Sequence, residues 1–388
     1  MYYGIKPVSN EWGKLMFRPQ IQKSRVMVGL MILVMTMVYW AVNSYERQPT
    51  YAFDIKKKTV ELMEVSIETL RSEVIKRKIN SGEDSISFGS FLLGPGKSII
   101  QTTSGSFISK QSVLNPDFGA MIVEMLIELE IEKGDQVAIS YTGSYPGANL
   151  AVLSALEAMD VSAVIISSCG SSEYGATHPE FTWIDMERHL VEKKVFSNTS
   201  SLASIGGGFD LGTQLGTRGK KVCESSIYNN KIDLLNIDNA SENIQKRMNH
   251  FTSIKGELSL FINVGGGVYS IGDSLLRSNT PAGIIYPGDG DFSGNSDETV
   301  IGNFLDRGIP VLNINHINIL SEWYELPYPP KRNYRYGVGS LFYSQKQYNP
   351  LVILIAFFIS IGAVLTVGII SHSEIKRRMY SSEPESLL

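Results

Sequence analysis

Residues 137–167 read VAISYTGSYPGANLAVLSALEAMDVSAVIIS. Val137 to Tyr141 is a short run of strand formers that stops at Thr142-Gly143-Ser144-Tyr145-Pro146-Gly147, a cluster of turn residues. Ala148 to Met159 carries helix formers at helical spacing, and Val161 to Ser167 is a second apolar run without a charge. The order strand, loop, helix, strand is the unit from which parallel sheets are built. Strands without charge are those whose two faces are both covered by helices.

The same alternation continues on both sides. Asn115-Pro116-Asp117 opens a helix that runs to about Glu130, with proline early and an acid in the first turn. Leu258 to Val264, Gly283 to Tyr286 and Val311 to Ile314 read as further strands, and Phe304 to Arg307 ends a helix before Gly308-Ile309-Pro310. The fold class expected is α/β, with a parallel sheet covered on both faces. Residues 55–79, IKKKTVELMEVSIETLRSEVIKRKI, place Val60, Met63, Ile67, Leu70 and Val74 at heptad spacing. An amphipathic helix packed on the domain is the favoured reading, and a stalk that forms a homodimer through 55–79 is the alternative.

Two uncharged runs bracket this segment. VMVGLMILVMTMVYWAV covers Val26 to Val42, and LVILIAFFISIGAVLTVGII covers Leu351 to Ile370. With the first run extended to Tyr45, each reaches the roughly 20 apolar residues a helix needs to cross a bilayer. No small-residue cleavage site follows the first, so a retained anchor is expected rather than a signal peptide. Lys6, Lys14, Arg18, Lys23 and Arg25 precede the first run, and Lys376, Arg377 and Arg378 follow the second. Basic flanks stay in the cytoplasm. The expected organisation is therefore a cytoplasmic segment 1–25, a transmembrane helix 26–45, an extracytoplasmic α/β domain 46–348, a second transmembrane helix 351–370 and a cytoplasmic tail 371–388. In that arrangement the chain is a two-pass protein of the inner membrane, with its main domain in the periplasm where there are two membranes.

Composition excludes several classes. Of 388 residues, 43% are hydrophobic and 19% charged, too apolar for a disordered chain. The net charge of −4 argues against nucleic acid as a partner. Cys169 and Cys223 are too few for a zinc module. They can pair in an oxidising compartment, although a buried free thiol at Cys169, just after a strand, is the favoured reading. Gly96-Lys97-Ser98 lacks the glycine that a phosphate-binding loop requires, since Phe91 stands there. The glycine clusters at 206–212 and 265–267 do not form a dinucleotide fingerprint, and no serine sits in a G-x-S-x-G elbow. Asp289-Gly290-Asp291-Phe292-Ser293-Gly294 resembles the first half of a calcium loop, but Val300 stands where the bidentate glutamate belongs. Asp289, Asp291 and Ser293 are thus a weak calcium candidate. A metal-free turn is favoured, and no cofactor is expected.

In parallel sheets ligands gather beyond the carboxyl ends of the strands. Four polar loops occupy such positions. The first offers Thr142, Gly143, Ser144 and Asn149, the second Ser171, Ser172 and His178, the third Asn263 and Gly265 to Gly267, and the fourth Asn315 and His316. Hydroxyls and free amides at such places suit an anion such as a carboxylate. Arg218, Lys220 and Lys221 form a candidate polyanion patch. Asp185 and His189, four apart on one helix, form either a functional pair or, as favoured, an ordinary surface pair.

The chain resembles the poly-γ-glutamate system protein family. The resemblance rests on Asn115-Pro116-Asp117-Phe118, on Tyr141 to Ala151, on IISSCG at 165–170, on Phe181-Thr182-Trp183-Ile184-Asp185-Met186-Glu187, and on Asn263 to Gly267. It spans roughly residues 85–330 and implies a membrane-associated accessory of poly-γ-glutamate capsule biosynthesis, without an established reaction. Its partners would be the inner membrane, components of the poly-γ-glutamate synthase and the polymer itself. Asp185 and Glu187 also stand among the ligand-binding candidates. Two alternatives stay open. One is a serine-type hydrolase or transpeptidase of γ-glutamyl amide bonds, with Ser144 or Ser171 as nucleophile and His316 or His178 as base. The other is a membrane scaffold of the synthase that binds no polymer.

Overall fold

The computed structural model describes residues 24–79, 89–253, 256–289, 298–344 and 347–381. The chain divides into two compact units, Met1–Gln48 with Ser344–Leu388, and Pro49–Tyr343.

The first unit contains an N-terminal helix, Ser24–Val42, and a C-terminal helix, Pro350–Ser381. Tyr45–Glu46 and Gln347–Tyr348 pair antiparallel between them. The N-terminal helix buries none of its residues within the chain. Both helices are long and apolar enough to span a membrane. The first ends three residues short of the expected boundary at Tyr45. The second continues well past Ile370, so Lys376 and Arg377 stand on the helix itself rather than in an irregular tail.

The second unit is a three-layer α/β/α domain. Its strands are β1 (Gln136–Thr142), β2 (Ser162–Ser168), β3 (Ser200–Ser204), β4 (Asp233–Leu235), β5 (Leu260–Val264), β6 (Gly283–Ile285) and β7 (Val311–Ile314). Its helices are α1 (Phe53–Lys76), α2 (Phe107–Ser112), α3 (Asp117–Glu128), α4 (Pro146–Met159), α5 (Trp183–Glu192), α6 (Thr217–Asn229), α7 (Ala240–Phe251), α8 (Val268–Ile271), α9 (Ser274–Asn279), α10 (Val300–Asp306) and α11 (Ile317–Trp323). The sheet order is β4-β3-β2-β1-β5-β7-β6. Six strands run parallel, as expected of an α/β fold, and β6 pairs antiparallel with β7 at the edge, so the sheet is mostly parallel.

Side-chain alternation along the strands explains the layers. Ile139 and Tyr141 of β1, Ile165 of β2, Ile262 of β5 and Leu312 of β7 face a core completed by α1, α3 and α4. Ala138, Val164, Ile166, Phe261 and Val311 face the other way, against Ile244, Met248 and Phe251 of α7 and Phe304 of α10. Phe261 and Phe304 stack there with centroids 4.6 Å apart. Val60, Met63, Ile67, Leu70 and Val74 of α1 are all buried in the first core. The heptad seam therefore packs inside the chain, as the amphipathic-helix reading has it.

Helix ends follow local chemistry. Pro146 occupies the first turn of α4, where its missing N–H costs nothing. Thr182 and Asp185 form a reciprocal capping box at the start of α5. Asn115 accepts the Asp117 amide at 3.0 Å as α3 begins.

Cys169 and Cys223 are bonded as a disulfide, with Cα atoms 5.5 Å apart. The favoured free thiol is thereby corrected. β2 delivers Cys169 one residue past its end, and α6 presents Cys223 opposite, both fully buried beside Ile184, Ile205 and Leu215.

Candidate functional site

Strand register sets the geometry of the site. Thr142 pairs with Ser168, Tyr141 with Val264, and Val264 with Ile314, so β1, β2, β5 and β7 end nearly level. The chain departs from β1 toward β2, β3 and β4 on one side, then returns to place β5 on the other. The loops after β1 and β5 diverge at this reversal and leave a crevice between them.

A cavity of about 560 Å³ occupies it. Thr142 ends β1, with Ser144 and Tyr145 in the loop after it, and Ser168 ends β2, with Gly170 and Ser172 in the loop after it. Gly207, Gly208, Phe209 and Gln214 form one glycine-rich wall, and Gly266, Gly267 and Val268 the other. Thr102 to Ser106 closes a third side, and Asn315 with Arg277 a fourth. Gly207 has φ 76°, in the region that favours glycine, and Phe209 beside it is held at φ 51° with its ring exposed.

The 102–106 segment is bound to the second loop much as an extra strand would be. Thr102 N–H donates to Ser171 O at 2.8 Å, and Glu173 N–H to Thr103 O at 2.8 Å. Gly175 is needed where this loop folds back. A Cβ there would fall 2.6 Å from Gly143 O and 2.8 Å from Ser144 O.

Charge is distributed unevenly in the walls. Asp210 is bound to the buried Arg247. Asp273 caps α9 by accepting from Leu275 and Leu276 at 2.9 Å. Arg277 lines the cavity, makes no ion pair among the described residues, and has a buried Nε without a hydrogen-bond partner. The amides of Gly207, Gly266 and Gly267 likewise donate to no acceptor among the described residues. Asp210 is paired with Arg247 and Asp273 is held by backbone amides, which leaves Arg277 as a lining cation without an acid partner among the described residues.

Lys110 lies behind the loops. It is fully buried at the end of α2, and its Nζ is 2.7 Å from Ser144 O, 3.2 Å from Ser172 O and 2.7 Å from Ser172 Oγ. Its ammonium is 5.1 Å from the centre of the Tyr145 ring. Burial pushes its pKa down to about 7, against a smaller opposing pull from Glu173.

The candidates named from sequence separate into three groups. Thr142, Ser144, Gly266 and Gly267 line the cavity. Gly143, Asn149, Asn263 and Gly265 stand behind it and hold the loops. The Asn149 amide donates to Thr142 O at 2.9 Å, and the Asn263 amide to Gly265 O at 3.0 Å and to Asn313 Oδ1 at 2.8 Å. Gly143 and Gly265 donate their own amides to Ser168 O and Ile314 O.

The remainder lie elsewhere. Ser171 is fully buried, with its hydroxyl directed at Gly143 O and Ser172 O, and does not reach the cavity. His178 is buried outside the lining, with burial lowering its pKa. His316 starts α11 with Nε2 3.4 Å from Arg277 O. Neither histidine contacts Ser144 or Ser171. Among the described residues Ser201 and His250 do meet, at 2.7 Å, but away from the cavity. Asp185 is committed to its capping box and to Asn230, and His189 faces Glu73 at 3.9 Å, so the two do not act as a pair. Glu187 is fully buried and accepts from Tyr141, from Ser200 N–H at 3.0 Å and from Ser200 Oγ at 3.0 Å, which removes it from any ligand. Arg218, Lys220 and Lys221 stand in the first turns of α6, outside the cavity lining. Asp289 accepts from Tyr286 N–H at 3.0 Å as a turn residue, while Asp291 and Ser293 lie outside the described residues. No cluster of three metal-ligating side chains occurs among the described residues.

Three contributors went unread in the sequence. Thr102-Thr103-Ser104-Gly105-Ser106 had a signal, five small and mostly hydroxyl-bearing residues in succession. Arg277 and Lys110 had none, being single cations in unremarkable helical segments.

No family model, no curated protein and no solved structure matches this chain.

Proposed function

We propose that the chain is a membrane-anchored binder of a polycarboxylate, of the kind poly-γ-glutamate represents, acting as an accessory of its synthesis, export or retention. The observation that carries this reading is Arg277, a guanidinium without an acid partner among the described residues, in a strand-end cavity rich in hydroxyls and glycine amides whose two acids, Asp210 and Asp273, are held by Arg247 and by backbone amides. A guanidinium binds a carboxylate through two parallel N–H donors, and free amides at strand ends take a further oxygen. The cavity volume matches a short stretch of chain, a few residues long, rather than a folded partner.

Two apolar terminal helices support anchorage in the inner membrane with both ends in the cytoplasm. The buried disulfide supports an oxidising compartment for the α/β unit. The sequence resemblance supplies the polymer and the synthase as partners.

The test is titration of the full chain in detergent with fluorescent oligo-γ-glutamate. Binding that weakens with salt, and that Arg277→Ala lowers by about 10-fold or more, is expected, since a hydrogen bond to a charged group contributes about 1.5–3 kcal/mol. Equal affinity for a neutral polyglutamine, or no effect of Arg277→Ala, would refute the reading.

A further inference from the structure

Ser172 lines the cavity and Lys110 touches its hydroxyl from behind. We propose that these two side chains form a nucleophile and general base that transfer the acyl group of an amide held in the cavity. The proposal rests on the reading of the cavity as a carboxylate-ligand site, and adds a reaction to it.

The contacts of Lys110 suit a proton carrier. Nζ has three oxygen neighbours, two of them backbone carbonyls that can only accept. A neutral amine has two N–H donors and one lone pair. It satisfies both carbonyls and still receives the Ser172 O–H along the 2.7 Å contact. An ammonium has three donors and satisfies all three oxygens in the same place. Both protonation states therefore fit without movement, as a group that takes a proton and returns it requires. Burial supplies the neutral form near neutrality. Glu173 on the same loop and the Tyr145 phenol are the titratable groups beside Nζ, and Tyr328 and Arg277 face that phenol. Ser172 is itself fixed, because its amide donates to Ser144 Oγ at 3.0 Å.

The step balances within the site. Ser172 Oγ bonds to the amide carbonyl carbon as its proton passes to Lys110 Nζ. The carbon–nitrogen bond then breaks, and Lys110 returns the proton to the departing amine. Water or a second amine attacks the resulting ester, its proton passing through Lys110 to Ser172 Oγ, and frees the acid or a new amide. The glycine amides without acceptors are the donors available to the developing oxyanion. Ser171 and the histidines are not needed.

A lysine serving only to clamp loops would give no reactivity at Ser172, so the test reads reactivity. The full chain in detergent is treated with a fluorophosphonate probe from pH 5 to 9, and adducts are located by mass spectrometry. In parallel, oligo-γ-glutamate binding to the untreated protein is measured. One adduct on Ser172 is expected, with a rate that rises through an inflection near pH 7. Lys110→Arg keeps a cation but cannot become neutral, and is expected to slow labelling at least 100-fold. Absence of a Ser172 adduct from the native protein, or a rate flat with pH, would overturn the proposal. Binding without an adduct removes the reaction and leaves the polycarboxylate reading intact. An adduct with the expected pH profile but no binding upholds the pair and removes the polycarboxylate reading.

Discussion

Cutting the Cys169–Cys223 disulfide should cost the α/β unit about 4 kcal/mol. The two cysteines are 54 residues apart in sequence, and tying a loop of that length lowers the chain entropy of the unfolded state by an amount worth ~4 kcal/mol at 25 °C. In a domain this large each kcal/mol moves the unfolding midpoint by about 2 °C, so the loss appears as ~8 °C. Both sulfurs are fully buried, which adds a kinetic signature. Mild reductant should release the two thiols only at the rate of unfolding. The assay is tryptophan fluorescence on heating the full chain in detergent, for oxidised protein, for protein reduced after denaturation and refolded, and for the double variant Cys169→Ala/Cys223→Ala. The closed loop contains Gly207 to Gln214, one whole wall of the cavity, so ligand affinity should fall along with the midpoint. Equal midpoints within about 1 °C for all three, with thiol counting confirming their redox states, would refute the loop-closure reasoning.

Glu187 gives a pH prediction. Burial raises its pKa to about 7 from an ordinary 4.5, against the hydrogen bonds from Ser200 and Thr199 that lower it. The folded state thus holds a proton that the unfolded state gives up. Stability from this group is full below pH 4.5 and is lost as pH rises toward 7. Glu187→Gln should flatten the denaturation midpoint over that window, and an unchanged slope would contradict it. Asp210→Asn should destabilise the unit by about 3–5 kcal/mol in urea unfolding, because it leaves the buried Arg247 charge unpaired. A loss below 1 kcal/mol would show that water reaches that guanidinium.

The legible parts of the fold were those where burial dictates composition. β1, β2, β5 and β7 lie inside the sheet, and their apolar runs announced them. β3 and β4, SSLAS and DLL, gave no signal. β4 is a short edge strand, whereas β3 is interior and mostly buried but fills its places with serines and alanine instead of an apolar run, and α6 and α7 between and after them are mostly polar on their outer faces. The direction of β6 was also hidden. Its partner β7 comes after α10, and antiparallel pairing at an edge depends on where the chain returns, not on the three residues GII. In the site, the level of the strand ends was readable but side-chain direction was not. A loop has no period, so Ser171 and its neighbour Ser172 looked equivalent, although one points inward and the other lines the cavity. Lys110 was invisible for a related reason, since nothing in FISKQS shows that three oxygens from distant loops surround its amine.

The α/β unit begins and ends at one spot. Pro49 bridges to Tyr343, and Thr50 N–H donates to Phe342 O at 2.9 Å. A fold whose entry and exit coincide is an insertion cassette. It can be lifted out of one helical hairpin and spliced into another with short joints. Its sheet needs no readjustment, because the two ends already close on each other. Tension pulling the ends apart would open this bridge one bond at a time before any load reached the sheet. The spacing of whatever holds the chain at either side can therefore change without altering the geometry of the cavity.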